Sequence, residues 1–492
     1  PEEVNITSGK RYLSECINRL PRNQFTFEES PLPSGISPSI SALLPEPIYI
    51  PAVKSLTDDL KTSQSTSFGR LLGLLLEDMS PDLTVINQSL DQLNILFNRV
   101  ERDGQVVDDN KGDGIKRSLT FALLQSYVAR LNAIHIDQGE EAPAQRPLIF
   151  LFEEPELYLQ PKSQRILFNT LASISENHQV VVTTHSPLFF APNVTASFVR
   201  VAKQTAEPKS VGVLYPVRFD LDEGSAEAFR MARFENADAA FFSQRVVLFE
   251  GESDDAFFRH VAKTLDTTWD FDEKNIALVR VSGKGNFARF RKFFEAFGID
   301  VKIVADLDAM FDGFVHLGVE DDVQDARATA IQTIDQRIAT LGTKAEPSAR
   351  QIKDKVHGQS FRNRYELAKV ALREAQRTGT IADETLDMLD RLFTWEDNIA
   401  RVKVCREDEI ARMALVTTLD AMREKGVCVL QRGAIEDYYP SDAPVSGAKP
   451  ERALAATALI IDLATARNLS SPIAEGREPE LHEICSALFS NL

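Results

Sequence analysis

Short apolar runs that end on carboxylates constrain this chain more than any other feature. "LIFLF" (Leu148 to Phe152) runs into Glu153 and Glu154, "RVVLFE" (Arg245 to Glu250) into "GESDD", and "VKIVAD" (Val301 to Asp306) into Asp308. Apolar runs this short, without polar alternation, are strands buried on both faces of a parallel sheet. "QVVVTT" (Gln179 to Thr184), "IALVRV" (Ile276 to Val281) and "VCVL" (Val427 to Leu430) are three more, separated by helix-length segments. The expected fold class is therefore α/β, built twice in one chain. Such sheets present ligand-binding groups at the carboxyl ends of their strands, where the acids fall.

A chain of 492 residues is too long for one core, so two or three domains are expected. No apolar run approaches the roughly 18 residues of a membrane span, and nothing at the start resembles a secretory signal, so no membrane partner and a cytoplasmic location are expected. The four cysteines form no C-x-x-C, which argues against a disulfide framework or a cysteine-rich zinc site. A net charge of -18 opposes nonspecific nucleic-acid binding unless a local basic patch or bound metal ions offset it.

Residues 1 to about 145 carry helical patterns at Phe68 to Met79 and Ser118 to Leu131, with a Pro/Ser-rich loop from Ser30 to Pro47. The chain opens at Pro1 within structured sequence, so an N-terminal part is expected to precede it. A charge-mixed helical block from Glu320 to Lys425 interrupts the second α/β domain before "VCVL" resumes its sheet. The organisation read from these patterns is residues 1–235, 240–320, a helical insertion at 321–425, a last strand region at 426–445, and a helical tail at 446–492.

In the first domain Glu153 and Glu154 end one strand, and His185 follows another. One acid there can hold Mg²⁺, its neighbour can orient an attacking water, and the histidine can contact a γ-phosphate. The set resembles the Walker B, D-loop and switch-histidine series of ABC-type ATPases. By that resemblance Glu153 is the metal-linked acid, Glu154 the catalytic base, and "LYLQP" the D-loop. Gly112 and Gly114 in "KGDGIKR" would be the signature motif, meeting the nucleotide of a second subunit at a helix N-terminus. Glu153 departs from the family's aspartate. No G-x-x-x-x-G-K-[ST] occurs, so the ATP-cradling loop is expected in the preceding part of the protein.

In the second domain Glu250 ends a strand, Gly251 permits a turn, and Asp254 lies one helical turn on; Asp306 and Asp308 point to one side of an extended chain. Carboxylates converging at strand ends suit a hard cation, Mg²⁺ or Mn²⁺. E-G-x-x-D, the glycine turn "VSGKGNF", and D-x-D about fifty residues later resemble the Toprim domain of topoisomerases, primases and nucleases. ABC-type ATPase followed by Toprim resembles the OLD (overcoming lysogenization defect) family of nucleases, over roughly residues 50 to 455.

That resemblance implies a further acid after the insertion, Glu436 with Asp437 as rival, and a lysine soon after it, Lys449. It implies a DNA endonuclease or nickase acting by two-metal hydrolysis, with Glu250, Asp254, Asp306, Asp308 and Glu436 dividing ions about 4 Å apart and Lys449 stabilising charge. It also implies a role in phage defence or DNA repair, a homodimer, ATP as ligand, and in some members a helicase partner. Arg280, Lys284, Arg289, Arg291 and Lys292 are either local positive surface for DNA or the solvated face of an amphipathic helix. Two other readings share these residues: an ATP-driven DNA clamp with a non-cleaving Toprim, and a topoisomerase-like strand transferase using Tyr438 or Tyr439.

Overall fold

A computed structural model describes residues 46–52, 148–157, 159–189, 197–206, 209–218, 237–319, 322–357 and 359–490, with a few isolated positions nearer the N-terminus. Apart from isolated positions, the helical patterns at 68–79 and 118–131 lie outside the described residues, as do Gly112 and Gly114. The chain divides into two compact units, Pro1–Phe189 and Phe190–Leu492.

In the first unit, β1 (Glu46–Ile50), β2 (Leu148–Glu153) and β3 (Gln179–Thr183) form a parallel sheet with β2 in the middle. Of the loop expected from Ser30 to Pro47, Glu46 and Pro47 are strand instead, paired with Leu148 and Ile149, and the rest lies outside the described residues. Pro47 is tolerated there because β1 is an edge strand among the described residues. Helix α1 (Pro161–Ser175) links β2 to β3 and starts on a proline, whose missing N–H costs nothing in a first turn. Its Leu167, Leu171 and Ile174 recur at helical spacing and pack with Phe150 and Phe152 into one core.

The second unit opens with an antiparallel hairpin, β4 (Ser197–Ala206) and β5 (Lys209–Arg218). Its Arg200 donates to the carbonyls of Phe241, Ser243, Phe297 and Gly298, anchoring the hairpin to the body of the unit. Gly298, at φ +64°, leaves room for the Tyr215 ring of β5: a Cβ there would stand 2.4 Å from ring carbons. Gly298→Ala combines a left-handed backbone with this clash and is expected to cost about 2 kcal/mol, read as a lower denaturation midpoint.

The main sheet is fully parallel, in the order β7-β6-β8-β9. It comprises β6 (Arg245–Phe249), β7 (Ile276–Arg280), β8 (Asp300–Ala305) and β9 (Val427–Val429); α2 (Glu252–Leu265) and α3 (Phe287–Ala296) follow β6 and β7. All five residues of β6 are buried, and alternate ones serve different cores. Val246 and Leu248 join a phenylalanine cluster on α3 that includes Phe290 and Phe294; Val247 and Phe249 join Phe257, Phe258 and Val261 of α2. A sheet covered on both faces explains why its strands lack polar alternation.

Between β8 and β9, which are neighbours, the chain inserts α4 (Asp322–Leu341), α5 (Ala349–His357), α6 (Gln359–Thr378), α7 (Asp383–Glu407), α8 (Glu409–Ala414) and α9 (Val416–Glu424). Two bidentate arginines tie this block together, Arg401 on Asp335 at 2.7 and 2.8 Å and Arg337 on Asp408 at 3.1 and 2.5 Å. After β9 come α10 (Lys449–Ala458), α11 (Leu463–Arg467) and α12 (Glu480–Phe489), with Leu481, Ile484 and Leu488 closing the α2 side of the core. Among the described residues no helix is long and apolar enough to cross a membrane.

Candidate active sites

In the first unit the parallel register sets Glu153 beside Thr183, so the residues after β2 and β3 emerge at one edge. Glu153 accepts hydrogen bonds from the Tyr49 hydroxyl at 2.5 Å and the Ala52 amide at 3.3 Å, which hold its carboxyl below the usual value. Glu154 turns at φ +42°, a left-handed conformation that a side chain resists and that clusters at functional sites. Its Oε2 accepts from the His185 amide at 3.1 Å, and its Oε1 lies 3.5 Å from His185 Nε2. Burial, then the neighbouring Glu156, raise the Glu154 carboxyl, while His185 opposes them.

Glu154 and His185 thus meet as the sequence motif requires, with the imidazole largely open to solvent at 86% side-chain exposure. Sequence reasoning missed Glu156. Its buried carboxylate accepts from the Thr184 hydroxyl and, at 3.0 Å, the His185 amide, fastening the histidine segment to the acid pair. The one available signal is a third acid in "EEPE".

In the second unit the end of β6 delivers Glu250, and Gly251 caps α2. Asp254 reaches back to accept the Gly251 amide at 2.8 Å, so its position follows from the helix start itself. From the end of β8 come Asp306 and Asp308, their loop fixed by the Leu307 amide donating to the Gly433 carbonyl at 2.8 Å. Glu436 sits in a short helical turn after β9, and Lys449, the first residue of α10, places Nζ 2.8 Å from its Oε1. From the turn after β7, Lys284 Nζ lies 2.8 Å from Asp308 Oδ2.

Electrostatics bind these groups into one cluster. Asp306 is pushed well above the usual aspartate range by burial and then by Asp254, Glu250, Asp308 and Glu436. Glu250 is raised to about 7 by burial and Asp308, against the pull of Lys284. Asp254 is raised to about 6 by burial, with the Gly251 amide and Lys449 opposing and Glu436 adding to the rise. Burial would raise Glu436 too, but the Lys449 ammonium brings it below its usual value.

The donor set fits a hard divalent cation: five carboxylates face two ammonium groups, and the buried Glu250 Oε1 has no hydrogen-bond partner. Among the described residues, no three such side chains already stand close enough to hold an ion.

The alternatives raised by the sequence separate here. Asp437, the rival of Glu436, pairs with Arg406 at 2.6 Å and accepts the Ala434 amide at 2.9 Å. Of the basic residues, Lys284 joins the acids. Arg280 pairs with Glu252, and Arg291 with Glu295 at 2.8 Å and the Lys425 carbonyl at 2.9 Å; Arg289 and Lys292 lie on α3 with Arg291.

Comparison with known proteins gives two domain matches. Residues 241–308 match the family of overcoming lysogenization defect protein-like Toprim domains, and residues 40–190 match an AAA ATPase domain. The chain therefore joins an ATPase domain to a Toprim domain. It is 25% identical over 333 residues to the Old nuclease of Escherichia phage P2, covering 56% of each chain. Against the OLD nuclease of Thermus scotoductus it is 26% identical over 162 residues, 32% of this chain and 30% of that relative. The chain spans about half the first relative's length and less of the second. The two domain matches and the two relatives point the same way: the chain is similar to OLD nucleases in both its ATPase and its Toprim parts.

Proposed function

We propose that this chain is a DNA endonuclease or nickase that hydrolyses phosphodiester bonds at the Toprim acids, linked to ATP turnover at the Glu154–His185 edge. The observation that carries the reading is the delivery of Glu250, Asp306, Asp308 and Glu436 from the carboxyl ends of the paired strands β6, β8 and β9, with Lys449 on Glu436.

Glu250, Asp254, Asp306 and Asp308 would hold the metal, with Glu436 at the lysine side. Mg²⁺ or Mn²⁺ bound there, as one ion or two, would supply charge neutralisation at the scissile phosphate and an acidified water. Lys449 presents a positive charge beside that position, suited to a phosphate gaining negative charge as it reacts. Glu154 is the base for water attack on ATP, and His185, exposed and bonded to it, the contact for the γ-phosphate. Two copies of the chain would complete the nucleotide site, with Gly112 and Gly114 contributed across the pair. Defence against phage or repair of DNA is the role this chemistry serves, and a helicase is a fitting partner.

A strand-transferase reading is disfavoured by its tyrosines. Tyr438 is buried with its hydroxyl donating to Glu480 at 2.8 Å and accepting from the Arg432 amide at 3.0 Å, and Tyr439 is pushed up to about 12, by burial first.

Supercoiled plasmid incubated with the protein and Mg²⁺ or Mn²⁺ is expected to yield nicked or linear DNA, and Glu250→Ala to yield none. Intact plasmid under every metal, with the folded wild-type protein, contradicts cleavage and favours a DNA clamp.

A further inference from the structure

The two lysines of the Toprim site differ in exposure, Lys449 at 69% and Lys284 at 23%. Each sits on an outlying acid of the cluster, Lys449 on Glu436 and Lys284 on Asp308, both at 2.8 Å. Among the described residues, the inner acids Glu250, Asp254 and Asp306 have no lysine in ion-pair contact.

How Lys284 arrives is unusual. The turn that carries it passes through two successive residues in the left-handed half of backbone space, Ser282 at φ +49° and Gly283 at φ +112°. For serine this conformation costs on the order of 1 kcal/mol and persists where surroundings over-determine it. Asn286 closes the turn, its amide donating to the Gly283 carbonyl at 3.1 Å and its side chain to the Val281 carbonyl at 2.9 Å. The lysine stem then runs past Gly313, where a Cβ would meet Lys284 Cδ at 3.3 Å and Cε at 3.4 Å. A strained turn and a side-chain-free neighbour together bring the ammonium to Asp308, with Asp312 at 3.7 Å as a second anion. The lysine side chain is 23% exposed, less than either aspartate it faces.

We propose that Lys284 is a tethered counter-cation that occupies Asp308 until a divalent cation displaces it, and so sets how tightly the Asp308 side of the site takes its metal. The proposal rests on the reading of these acids as metal ligands. It follows from competition at one carboxylate: a divalent cation taken at Asp308 meets the Lys284 ammonium at close range, and the like charges weaken the ion pair. The inner acids feel the lysines only at longer range, with no direct ion pair to displace, so the cluster has two unequal halves. Asp312 offers the displaced ammonium a neighbouring anion to move to.

Calorimetric titration of the metal-free protein with Mn²⁺ tests this without relying on cleavage. The wild type is expected to show a tighter and a weaker class of binding, and Asp308→Asn to lose the weaker one. Lys284→Gln should tighten the weaker class about 5- to 10-fold and leave the tighter class within about 2-fold, because the competitor is gone from one half alone. Equal tightening of both classes would mean general charge removal, and no tightening a purely structural ion pair; either overturns the proposal. Lys284→Arg, which restores a cation, should return the weaker class towards wild type, and the retained tighter class shows that the glutamine variant is folded. Wild type that binds no Mn²⁺ would instead sink the metal-site reading beneath it.

Discussion

Asp306→Asn is expected to abolish DNA cleavage and, in the absence of metal, to make the protein more stable. Asparagine keeps the shape of aspartate, so packing at the end of β8 and the Leu307–Gly433 hydrogen bond survive. The substitution removes a buried acid facing four other carboxylates, whose burial and mutual repulsion raise the free energy of the metal-free fold. In EDTA the variant should gain on the order of 1–2 kcal/mol, read from denaturant midpoints. Mn²⁺ should stabilise the wild type and leave the variant nearly unchanged, inverting their order. Cleavage should fall by about 10³-fold or more, as for removal of a group that acts with the reacting atoms. A variant that loses stability in EDTA and keeps its metal response would place Asp306 among structural acids.

Glu480 supplies the largest expected pH effect outside the acid cluster. It is 1% exposed at the start of α12, accepting the Gln431 amide at 2.6 Å and the Tyr438 hydroxyl at 2.8 Å. Burial raises its carboxyl from 4.5 to about 7, although those two donors and the charges of Arg432 and Arg423 oppose the rise. Because the folded value lies above the unfolded one, the unfolded chain ionises first as pH rises. The group's contribution to stability is therefore full below about pH 4.5 and is lost as pH climbs through about 7. The loss amounts to about 3 kcal/mol. Glu480→Gln mimics the protonated form and has no such dependence, so its stability relative to wild type should rise by about that amount between about pH 4.5 and 8. Parallel stability–pH curves for the two proteins would contradict the assignment. The contact also bears on function, since the bonds from Glu480 fix the segment Gln431 to Tyr438 on which Glu436 is carried.

Much of the sheet can be read from the chain because both of its faces are buried. A strand such as "RVVLF" must be apolar throughout, and its ends fall within a residue or two of the apolar run. The acids are legible because strand ends are where such sheets expose polar groups. The hairpin of β4 and β5 is harder to see, although "SFVRVAK" and "VGVLYPV" both carry strand-forming residues. Its Val199, Val201 and Leu214 are exposed, so apolar residues stand on the open face and blur the alternation that would mark it. The order β7-β6-β8-β9 has no local signature and depends on packing across the whole sheet. The difference in surroundings between Glu436 and Asp437 is not visible in the sequence: Asp437 is held by Arg406, which comes from the end of α7, 31 residues earlier. Glu156 and Lys284 are visible as residue types, but their partners Thr184 and Asp308 are contacts between elements, and a sequence pattern does not show those.

The most direct measurement is an anomalous difference map from crystals of the full chain grown with Mn²⁺. The expected result is a peak bounded by Glu250, Asp254 and Asp306 that is missing from Asp306→Asn crystals. Manganese bound elsewhere, with these carboxylates paired to protein groups alone, would contradict a metal site at the Toprim acids.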